Sequence, residues 1–534
     1  MGGVLRGIAG VLFYLGGLLF YALRFLLFAV VCGALFGGAV YWASLKFSAP
    51  GSITRGLFDA IIVFVSPIIA YTIVREKIRS LGRAAGTHGS ARFASGPELR
   101  PLGGPSGLLI GRNLQGGKLL RYDGPGHLLT IAPTRTGKGV GTVIPNLLLA
   151  DRSVICVDPK GENTAVTARA RARFGPVHVL DPFGITGQPS SCFNPLAAFD
   201  PVGLDLAEDV ATLADALVFD APGEAGEAHW NEEAKALIGG ILLHILTREP
   251  PSRRTLAVLR EHLTCAPVAF ETLLADMQAS TAAGGLVARA ANRHLGKADR
   301  EATGVLSAAQ RHTHFLDSPR MTATLDHSDF TFADLKSRTA TVFLVLPPDR
   351  LTTYARWLRL MVTQSLQDMA RTAGQPPAPV LYLLDEFAAL GHLAPVERAM
   401  SLMAGYGVQL WPILQDLHQL RSTYGGRAGT FFSNASVLQV FGVNDSETAQ
   451  LVSGLLGQTT IVFSTESRHE GTFFTKGDTS TSDHHTGRPL LTPDEVRNLP
   501  QHHELLFIAG RRPVLAGKLR YYADQEFHGL FEPP

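Results

Sequence analysis

A lysine in a glycine-containing segment is the first residue of this chain whose setting predicts chemistry. Residues 132–139 read Ala-Pro-Thr-Arg-Thr-Gly-Lys-Gly, follow an apolar run and precede a stretch that can form a helix. Backbone N–H groups of such a loop, and the N-terminus of the helix behind it, point at phosphate oxygens, and the lysine adds charge for the β- and γ-phosphates. The predicted nucleotide-binding residues are Pro133, Thr134, Arg135, Thr136, Gly137, Lys138, Gly139 and Val140.

The loop departs from the usual G-x-x-x-x-G-K-[ST] pattern at two positions. Ala132 replaces the first glycine, and Gly139 replaces the serine or threonine whose hydroxyl normally binds Mg²⁺. Water or another residue is then expected at that place in the metal's coordination shell. On this segment alone, a glycine-rich turn with a surface lysine stays an alternative.

Two further apolar runs end in polar side chains that complement such a loop. Residues 380–386 read Val-Leu-Tyr-Leu-Leu-Asp-Glu, and the run 408–414 is followed by Gln415. A strand ending this way can place Asp385 beside Mg²⁺ and Glu386 beside an attacking water, while an amide can orient that water or sense the γ-phosphate. Glu386 and Gln415 are therefore predicted as catalytic and Asp385 as a metal ligand, against the alternative of solvated strand ends.

The segment Asp158-Pro-Lys-Gly-Glu162 follows another apolar run, which we place beside the strand that precedes the phosphate loop. Ligands of open α/β sheets bind outside the carboxyl ends of the strands. Asp158 is therefore a second candidate metal ligand, and Lys160 and Glu162 are candidates for the metal or phosphate environment. A simple Pro-Gly turn is the alternative.

Short apolar runs alternate with helical stretches after residue 75, which predicts an α/β fold with a largely parallel sheet. The predicted strands are Leu128–Ala132, Val154–Asp158, Val177–Leu180, Thr341–Leu346, Val380–Leu384, Val408–Leu414, Val437–Phe441 and Leu505–Ala509. Residues 203–325 instead show helical spacing and predict an all-α domain inserted into a nucleotide domain of residues 76–202 and 326–534. The polar stretch Ser464–Gly487 predicts a flexible loop.

The N-terminal region has the composition of a membrane anchor. Residues 8–42 carry a single charge, Arg24, and a second apolar run spans Leu57–Val74. Basic residues follow at 75, 77, 79 and 83 and favour the cytoplasmic side. Residues 1–75 therefore predict two or three transmembrane helices of a multi-pass protein in the bacterial inner membrane, with the bulk of the chain cytoplasmic. A signal peptide is the weaker alternative, because a second apolar run follows.

Composition limits the remaining possibilities. The 534 residues include 48 basic and 46 acidic ones, a net charge of +2, so no global nucleic-acid footprint exists and any DNA contact is local or made by an oligomeric channel. Cys32, Cys156, Cys192 and Cys265 form no CxxC pair and so no zinc or redox motif by spacing. The histidine pairs 484–485 and 502–503 are interpreted as loop or surface residues.

Eight short segments, in this order and spacing, resemble the TraG-type coupling proteins of conjugation and type IV secretion. They are HGSAR (88–92), APTRTGKGVG (132–141), DPKGE (158–162), FNP (193–195), HWNEEAKALIGGILLHI (229–245), LLDEFAALG (383–391), ILQDLHQL (413–420) and GVND (442–445). The resemblance covers nearly the whole chain. It implies a RecA-like P-loop domain with an inserted all-α domain, assembled as a hexamer at the inner membrane.

The resemblance also implies ATP and Mg²⁺ between subunits. The family's phosphate-binding lysine matches Lys138, its Mg²⁺-side aspartate and water-activating glutamate match Asp385 and Glu386, and its γ-phosphate-facing glutamine matches Gln415. Glycine at 139 is associated with a branch of the family. The segment 404–407, where some relatives carry an arginine finger, has no arginine, and the nearby Arg398 and Arg421 are assigned no such role.

The implied function is an inner-membrane ATPase that recruits DNA–relaxase complexes, effector proteins or both and delivers them to a type IV secretion channel. Its implied partners are copies of itself, channel components, the membrane and DNA bound without sequence preference. Two alternatives stay open: a septal DNA translocase, and an ATP-binding substrate receptor that is not a motor. The sequence does not identify the cargo.

Overall fold

The computed structural model describes residues 87–218, 228–468 and 479–533, together with residues 38, 41, 42, 45, 46 and 52. The predicted anchor of residues 1–75 lies outside the described residues, those six positions apart. Among the described residues, no helix combines the length and the apolar character needed to cross a bilayer. The chain divides into two compact units, Met1–Ala91 with Gly457–Leu490, and Arg92–Leu456 with Leu491–Pro534.

The second unit is built on one sheet of eleven strands. Its order is β2-β1-β13-β12-β9-β3-β8-β7-β4-β6-β5. The strands are β1 (Leu108–Arg112), β2 (Leu119–Tyr122), β3 (His127–Ile131), β4 (Val154–Asp158), β5 (Val177–Leu180), β6 (Thr341–Val345), β7 (Val380–Leu384), β8 (Val408–Leu414), β9 (Ala435–Val440), β12 (His503–Ile508) and β13 (Val514–Gly517).

The seven strands from β9 to β5 pair in parallel, and the four at the other end pair antiparallel. Every residue of β3, β4, β6, β7 and β8 is buried, as expected for strands covered on both faces. The α/β fold with a largely parallel sheet is confirmed, and all eight predicted strands are present with ends shifted by at most two residues.

Helices connect and cover these strands. They are α1 (Gly96–Leu99), α2 (Ile144–Leu149), α3 (Glu162–Arg171), α4 (Leu206–Leu217), α5 (Ala228–Arg248), α6 (Leu256–Thr264), α7 (Pro267–Gln278), α8 (Leu286–Leu295), α9 (Asp299–Thr313), α10 (Pro319–Thr324), α11 (Asp334–Ser337), α12 (Leu351–Arg371), α13 (Ala394–Leu402), α14 (Leu417–Tyr424), α15 (Ala428–Asn434), α16 (Ser446–Leu456) and α17 (Pro493–Arg497).

The segment between β5 and β6 contains α4 to α11 and, among its described residues, no strand. It belongs to the same compact unit as the sheet. The division into a nucleotide domain and an inserted all-α domain of residues 203–325 therefore stays a prediction.

Two sequence predictions about elements are wrong. Residues 464–468 and 479–487 of the stretch predicted as a flexible loop, Ser464–Gly487, belong to a hairpin of β10 (Gln458–Arg468) and β11 (Thr479–Pro489), and residues 469–478 lie outside the described residues. The two strands pair antiparallel from Gln458–Pro489 to Arg468–Thr479, so backbone hydrogen bonds order a polar segment that has no apolar pattern. The second error concerns β4, which pairs with β6 and β7 and is separated from β3 by β8 and β7.

Candidate nucleotide-binding site

The predicted site residues follow three adjacent parallel strands, β3, β8 and β7. The last paired residues are Ile131 with Leu414 and Leu384 with Pro412, so the three carboxyl ends share one edge of the sheet. The phosphate loop follows β3, Gln415 follows β8, and the Asp385–Glu386 pair follows β7. The sheet order therefore brings together residues that are about 250 positions apart in sequence, such as Lys138 and Glu386, which are separated by 248 positions.

The loop is held by its own hydrogen bonds. Thr136 Oγ1 donates to the carbonyl oxygen of Pro133 at 2.6 Å, and the N–H of Gly141 donates to the carbonyl of Gly137 at 2.7 Å. Arg135 and Gly137 have φ angles of 66° and 94°, in the left-handed region that turns the chain back on itself. The helix begins with a π-helical turn, Gly139–Val143, before α2. Neither Gly137 nor Gly139 has an atom within 4 Å of where a Cβ would lie, so the loop faces open space.

Lys138 lies between the two carboxylates that follow β7. Its Nζ is 2.6 Å from Glu386 Oε2 and 3.0 Å from Asp385 Oδ1. Burial alone would lower the pKa of Lys138, but attraction to Asp385 and Glu386 outweighs it and raises the pKa above its usual value. The lysine is therefore charged at neutral pH, as a phosphate-binding lysine must be.

Gln415 completes this polar cluster. Its Nε2 donates to Glu386 Oε1 at 2.7 Å, and Thr134 Oγ1 of the loop donates to Gln415 Oε1 at 3.3 Å. Asp416 caps α14 by accepting from the N–H of Gln419 at 2.8 Å, which fixes the direction in which the chain leaves β8. One hydrogen-bonded chain thus joins the loop, Gln415 and Glu386.

The backbone at this site is locally strained. Among the described residues, three non-glycine residues have a positive φ, and two of them, Arg135 and Glu386, lie here. Glu386, the second residue after β7, adopts φ 56° and ψ 46°. Such conformations cost about 1–3 kcal/mol and concentrate where function holds a side chain in place.

Asp158 lies next to the carboxylates of β7, although its strand is not beside β3. The pair Val157–Leu384 is the last between β4 and β7, so Asp158 and Asp385 follow it on neighbouring strands. Asp158 Oδ2 accepts from the N–H and Oγ1 of Thr164, both at 2.7 Å, and thereby ties down the first turn of α3. Oδ1 is buried and has no hydrogen-bond partner in the described part of the chain. Burial raises the pKa of Asp158, and repulsion from Asp385 adds to that rise.

A cavity of about 680 Å³ opens beside the loop. It is bounded by the loop at Arg135–Gly137, by the segment after β9 and by residues near the C-terminus. The polar lining residues that the sequence prediction missed are Arg497, Gln501, Lys518, Arg520 and Tyr522. No motif marks them in the sequence, because they come from a helix, a turn and an irregular segment far from the loop.

Lys518 links this cavity to the loop. Its Nζ donates to the carbonyl oxygens of Thr136 at 3.1 Å and Phe441 at 2.6 Å. Burial lowers the pKa of Lys518 to about 8, although attraction to Glu504 opposes that shift. The lysine thus holds the loop against the end of β9.

A buried polar network lies behind the loop. Gln439 Oε1 accepts from Thr130 Oγ1 at 2.8 Å and from Thr142 Oγ1 at 3.1 Å, and Gln439 Nε2 donates to Glu504 Oε2 at 2.7 Å. Burial raises the pKa of Glu504 well above its usual value. The network joins β3, the π-helical turn, β9 and β12, and so supports the loop from below.

The two arginines to which the sequence analysis assigns no arginine-finger role, Arg398 and Arg421, have contacts outside the cluster. Arg421 forms an ion pair with Glu447. Arg398 lines a separate cavity of about 320 Å³, which also includes Arg359 and His392. In the part of the chain that the structure describes, neither arginine has a recorded contact with the cluster formed by Lys138, Glu386 and Gln415.

The fold and the site together define an α/β protein with a mainly parallel sheet and a candidate phosphate-binding loop at the carboxyl ends of its strands. Residues 103–532 match the family model for type IV secretory system conjugative DNA transfer, and the chain belongs to that family. Conjugal transfer protein TraG of Escherichia coli is 31% identical over 457 residues, covering 77% of this chain and 71% of TraG. Protein VirD4 of Agrobacterium fabrum is 30% identical over 466 residues, covering 83% and 67%.

Solved structures of the conjugative coupling protein TrwB share the fold. Its unbound form has a TM-score of 0.61 at 20% identity, covering 80% of this chain and 92% of that chain. A TrwB complex with ADP and Mg²⁺ has a TM-score of 0.61 at 19% identity, covering 83% and 97%. A complex with the ATP analogue ADPNP has a TM-score of 0.60 at 19% identity, covering 80% and 93%.

Proposed function

We propose that this chain is a coupling-protein ATPase that recruits DNA–relaxase complexes, effector proteins or both and delivers them to a type IV secretion channel. The observation that carries the proposal is the cluster of Lys138, Glu386 and Gln415 at the ends of three adjacent strands, joined by contacts of 2.6 and 2.7 Å. Membership of the conjugative DNA transfer family supports the cellular role.

The residues of the site fit ATP and Mg²⁺. Lys138 and the open backbone of residues 133–140 suit the phosphates, and the cavity beside the loop suits the base and ribose. Asp385 is our proposed metal ligand, and Asp158, with its unpartnered buried Oδ1, is a second one. Bound Mg²⁺ would neutralise charge on the phosphate oxygens. Gly139 offers no hydroxyl, so water would have to take that position in the shell of a bound Mg²⁺.

Hydrolysis in this proposal depends on Glu386 and Gln415. When Lys138 turns to the phosphates, Glu386 is released from its ion pair and can accept a proton from the attacking water. Gln415 then holds that water or the γ-phosphate through the amide that now bonds Glu386. The left-handed backbone of Glu386 keeps the carboxylate aimed into the site.

The cellular parts of the proposal concern the rest of the molecule. Residues 1–75 anchor the chain in the inner membrane as two or three helices, with the bulk of the chain in the cytoplasm. Subunits assemble as a hexamer with ATP between neighbours, and residues 203–325 receive the cargo. DNA is bound without base readout, and channel components dock on the ring. The family match favours this role over that of a septal DNA translocase.

The test is the substitution Lys138→Ala in the full-length protein, with the exposed Lys118→Ala as its matched control. We expect Lys138→Ala to abolish ATP turnover and conjugative transfer while membrane insertion and expression stay normal, because the phosphates lose their only loop cation other than Arg135. Lys118→Ala should behave as wild type. Wild-type transfer by Lys138→Ala would contradict the motor role of this site.

A second candidate function is an ATP-binding substrate receptor without turnover, and the glycine at 139 favours it. ATPase activity measured with and without single-stranded DNA separates the two. Stimulation by DNA indicates a motor, whereas nucleotide binding with no turnover under any condition indicates a receptor.

A further inference from the structure

A second group of chemically active side chains lies where the helical segment leaves and rejoins the sheet. Cys192 is on the connection that leaves β5, and His327 and Asp329 are on the connection that returns towards β6. One ligand atom from each of the three residues lies within 4.8 Å of the other two. A thiolate, an imidazole and a carboxylate are the side chains that bind Zn²⁺, and a cation at their centre would meet all three.

The backbone of the two connections is fixed at this point. The N–H of Cys192 donates to Asp329 Oδ2 at 2.7 Å, and the N–H of Asp329 donates to the carbonyl oxygen of Cys192 at 3.1 Å. Next to them, Phe193 packs against Phe330 and Phe332 with ring centroids 5.5 and 4.6 Å apart. The candidate ligands are therefore placed by the fold before any metal binds.

The orientation of Asp329 and His327 suits a metal rather than a simple ion pair. The thiol of Cys192 donates to the carbonyl oxygen of Ala323 at 3.4 Å, a weak hydrogen bond that a metal would replace. Asp329 uses Oδ2 for the backbone of Cys192, which leaves Oδ1 facing His327 Nε2 at 3.3 Å. The other ring nitrogen, Nδ1, faces Asp326 Oδ2 at 3.6 Å. A carboxylate behind a ligating histidine orients the ring and raises its basicity in many zinc sites.

We propose that Cys192, His327 and Asp329 form a zinc site that clamps together the two connections of the helical segment. Three protein ligands leave a fourth, outward position for water, since His327 and Asp329 are exposed and Cys192 is only partly buried. Asp326 is a positioning residue, because it would act on the metal through His327. The site is separate from the nucleotide site, and its role is to hold the helical segment on the sheet.

The spacing of these residues explains why sequence reasoning did not find them. Cys192 and Asp329 are 137 positions apart, and Cys192 has no second cysteine nearby. Zinc motifs are recognised by short spacings that bring ligands together locally, whereas here the topology of the insertion brings them together.

The experiment measures binding of Zn²⁺ alone to the full-length, metal-stripped protein in detergent, by competition with a chromogenic chelator. We expect one Zn²⁺ per chain, lost in Cys192→Ser and in His327→Gln. The controls Cys265→Ser and His314→Gln change the same residue types elsewhere on the helical segment and should bind as wild type. Asp326→Asn should weaken binding by about 10-fold, as loss of such a carboxylate does in known sites.

Two further readouts guard against misfolded variants and adventitious binding. Co²⁺ in place of Zn²⁺ should give a thiolate-to-metal charge-transfer band in wild type and in Cys265→Ser, but none in Cys192→Ser. Zn²⁺ should raise the melting temperature of wild type and leave that of His327→Gln unchanged, because a metal that binds only the native state stabilises it. Equal binding by wild type and Cys192→Ser, or no binding by wild type, would overturn the proposal.

Discussion

At the scale of single residues, the glycine at 139 sets the phosphate loop of this chain apart from loops that end in serine or threonine. A Cβ at position 139 would meet no atom within 4 Å, whereas a Cβ at position 141 would lie 3.0 Å from the carbonyl oxygen of Leu519 and 3.1 Å from the ring of Phe441. The structure therefore has room for a serine side chain at position 139 but not at position 141.

We predict that Gly139→Ser folds normally and is stabilised by up to about 1 kcal/mol, because glycine inside a helix loses more conformational freedom on folding. Its new hydroxyl can bind Mg²⁺, so ATP turnover at limiting Mg²⁺ should rise a few-fold. Gly141→Ser is the matched control and should lose about 1–3 kcal/mol through overpacking. Thermal unfolding and ATPase assays over a range of Mg²⁺ concentrations measure both effects; lower turnover in Gly139→Ser would contradict this account.

At the scale of elements, the polar network that supports the loop includes Glu504 of β12. This buried carboxyl lowers the stability of the folded protein as the pH rises. The carboxyl of Glu504 is fully buried, accepts one hydrogen bond from Gln439 and leaves Oε1 without a partner in the described structure. Burial raises its pKa well above the usual value, so the folded protein keeps a proton that the unfolded chain releases above about pH 4.3. The folded state binds more protons, and stability therefore falls as pH rises above that value.

We predict that Glu504→Gln removes this loss, because the amide keeps the acceptor for Gln439 and does not ionise. The melting temperature of the variant should match that of wild type below about pH 4.3 and exceed it by a margin that grows as the pH rises above that value, up to the pKa of Glu504 in the folded state. Glu526→Gln is the control of opposite sign, since the hydrogen bond and attraction of Arg112 lower the pKa of Glu526. A constant difference between Glu504→Gln and wild type across this range would show that the carboxyl is ionised in the fold.

The sequence predicted an element where a local pattern of neighbouring residues marks it, and missed elements that only long-range pairing defines. The buried parallel strands were found because each is a continuous apolar run bounded by turn residues, as in β7 and β8. The antiparallel strands β1, β2 and β13 were missed. In β2, three of the four residues are only partly buried, and the β10–β11 hairpin is marked only by backbone pairing. Strand order is set by long-range packing, which no local pattern shows. The prediction therefore put β4 beside β3, although β8 and β7 lie between them.

The same distinction holds within the site. Lys138, Asp385, Glu386 and Gln415 each end or follow a recognisable strand, and the structure brings them into one cluster. Lys518 and Arg497 approach from segments without a motif, so only the folded chain shows that they line the cavity next to the loop. The structure also shows that Asp158 accepts two hydrogen bonds from Thr164 in the first turn of α3, a contact that neither the metal-ligand prediction nor the turn alternative included.

At the scale of the whole molecule, the proposed hexamer makes a prediction that a single chain cannot test. If ATP lies between neighbouring subunits and the ring turns over as a unit, one Lys138→Ala subunit impairs the sites or the movement of its neighbours. With equal amounts of variant and wild type and complete blockage by one variant subunit, roughly 2% of rings in a closed six-fold assembly contain only wild-type subunits. Co-expressed Lys138→Ala should therefore reduce DNA transfer far below half.

The measurement is conjugative transfer and ATPase activity over a range of variant-to-wild-type ratios, with total protein held constant. Cys265→Ser, which lies away from both the loop and the β7 carboxylates, provides the dilution control and should leave transfer unchanged at every ratio. A steep, non-linear loss with Lys138→Ala supports coupled subunits. A loss in direct proportion to the variant fraction would mean that each subunit works alone, because independent sites lose activity only in the subunits that carry the substitution. Such proportionality would contradict coupled turnover between the subunits of the ring while leaving the nucleotide site of each chain intact.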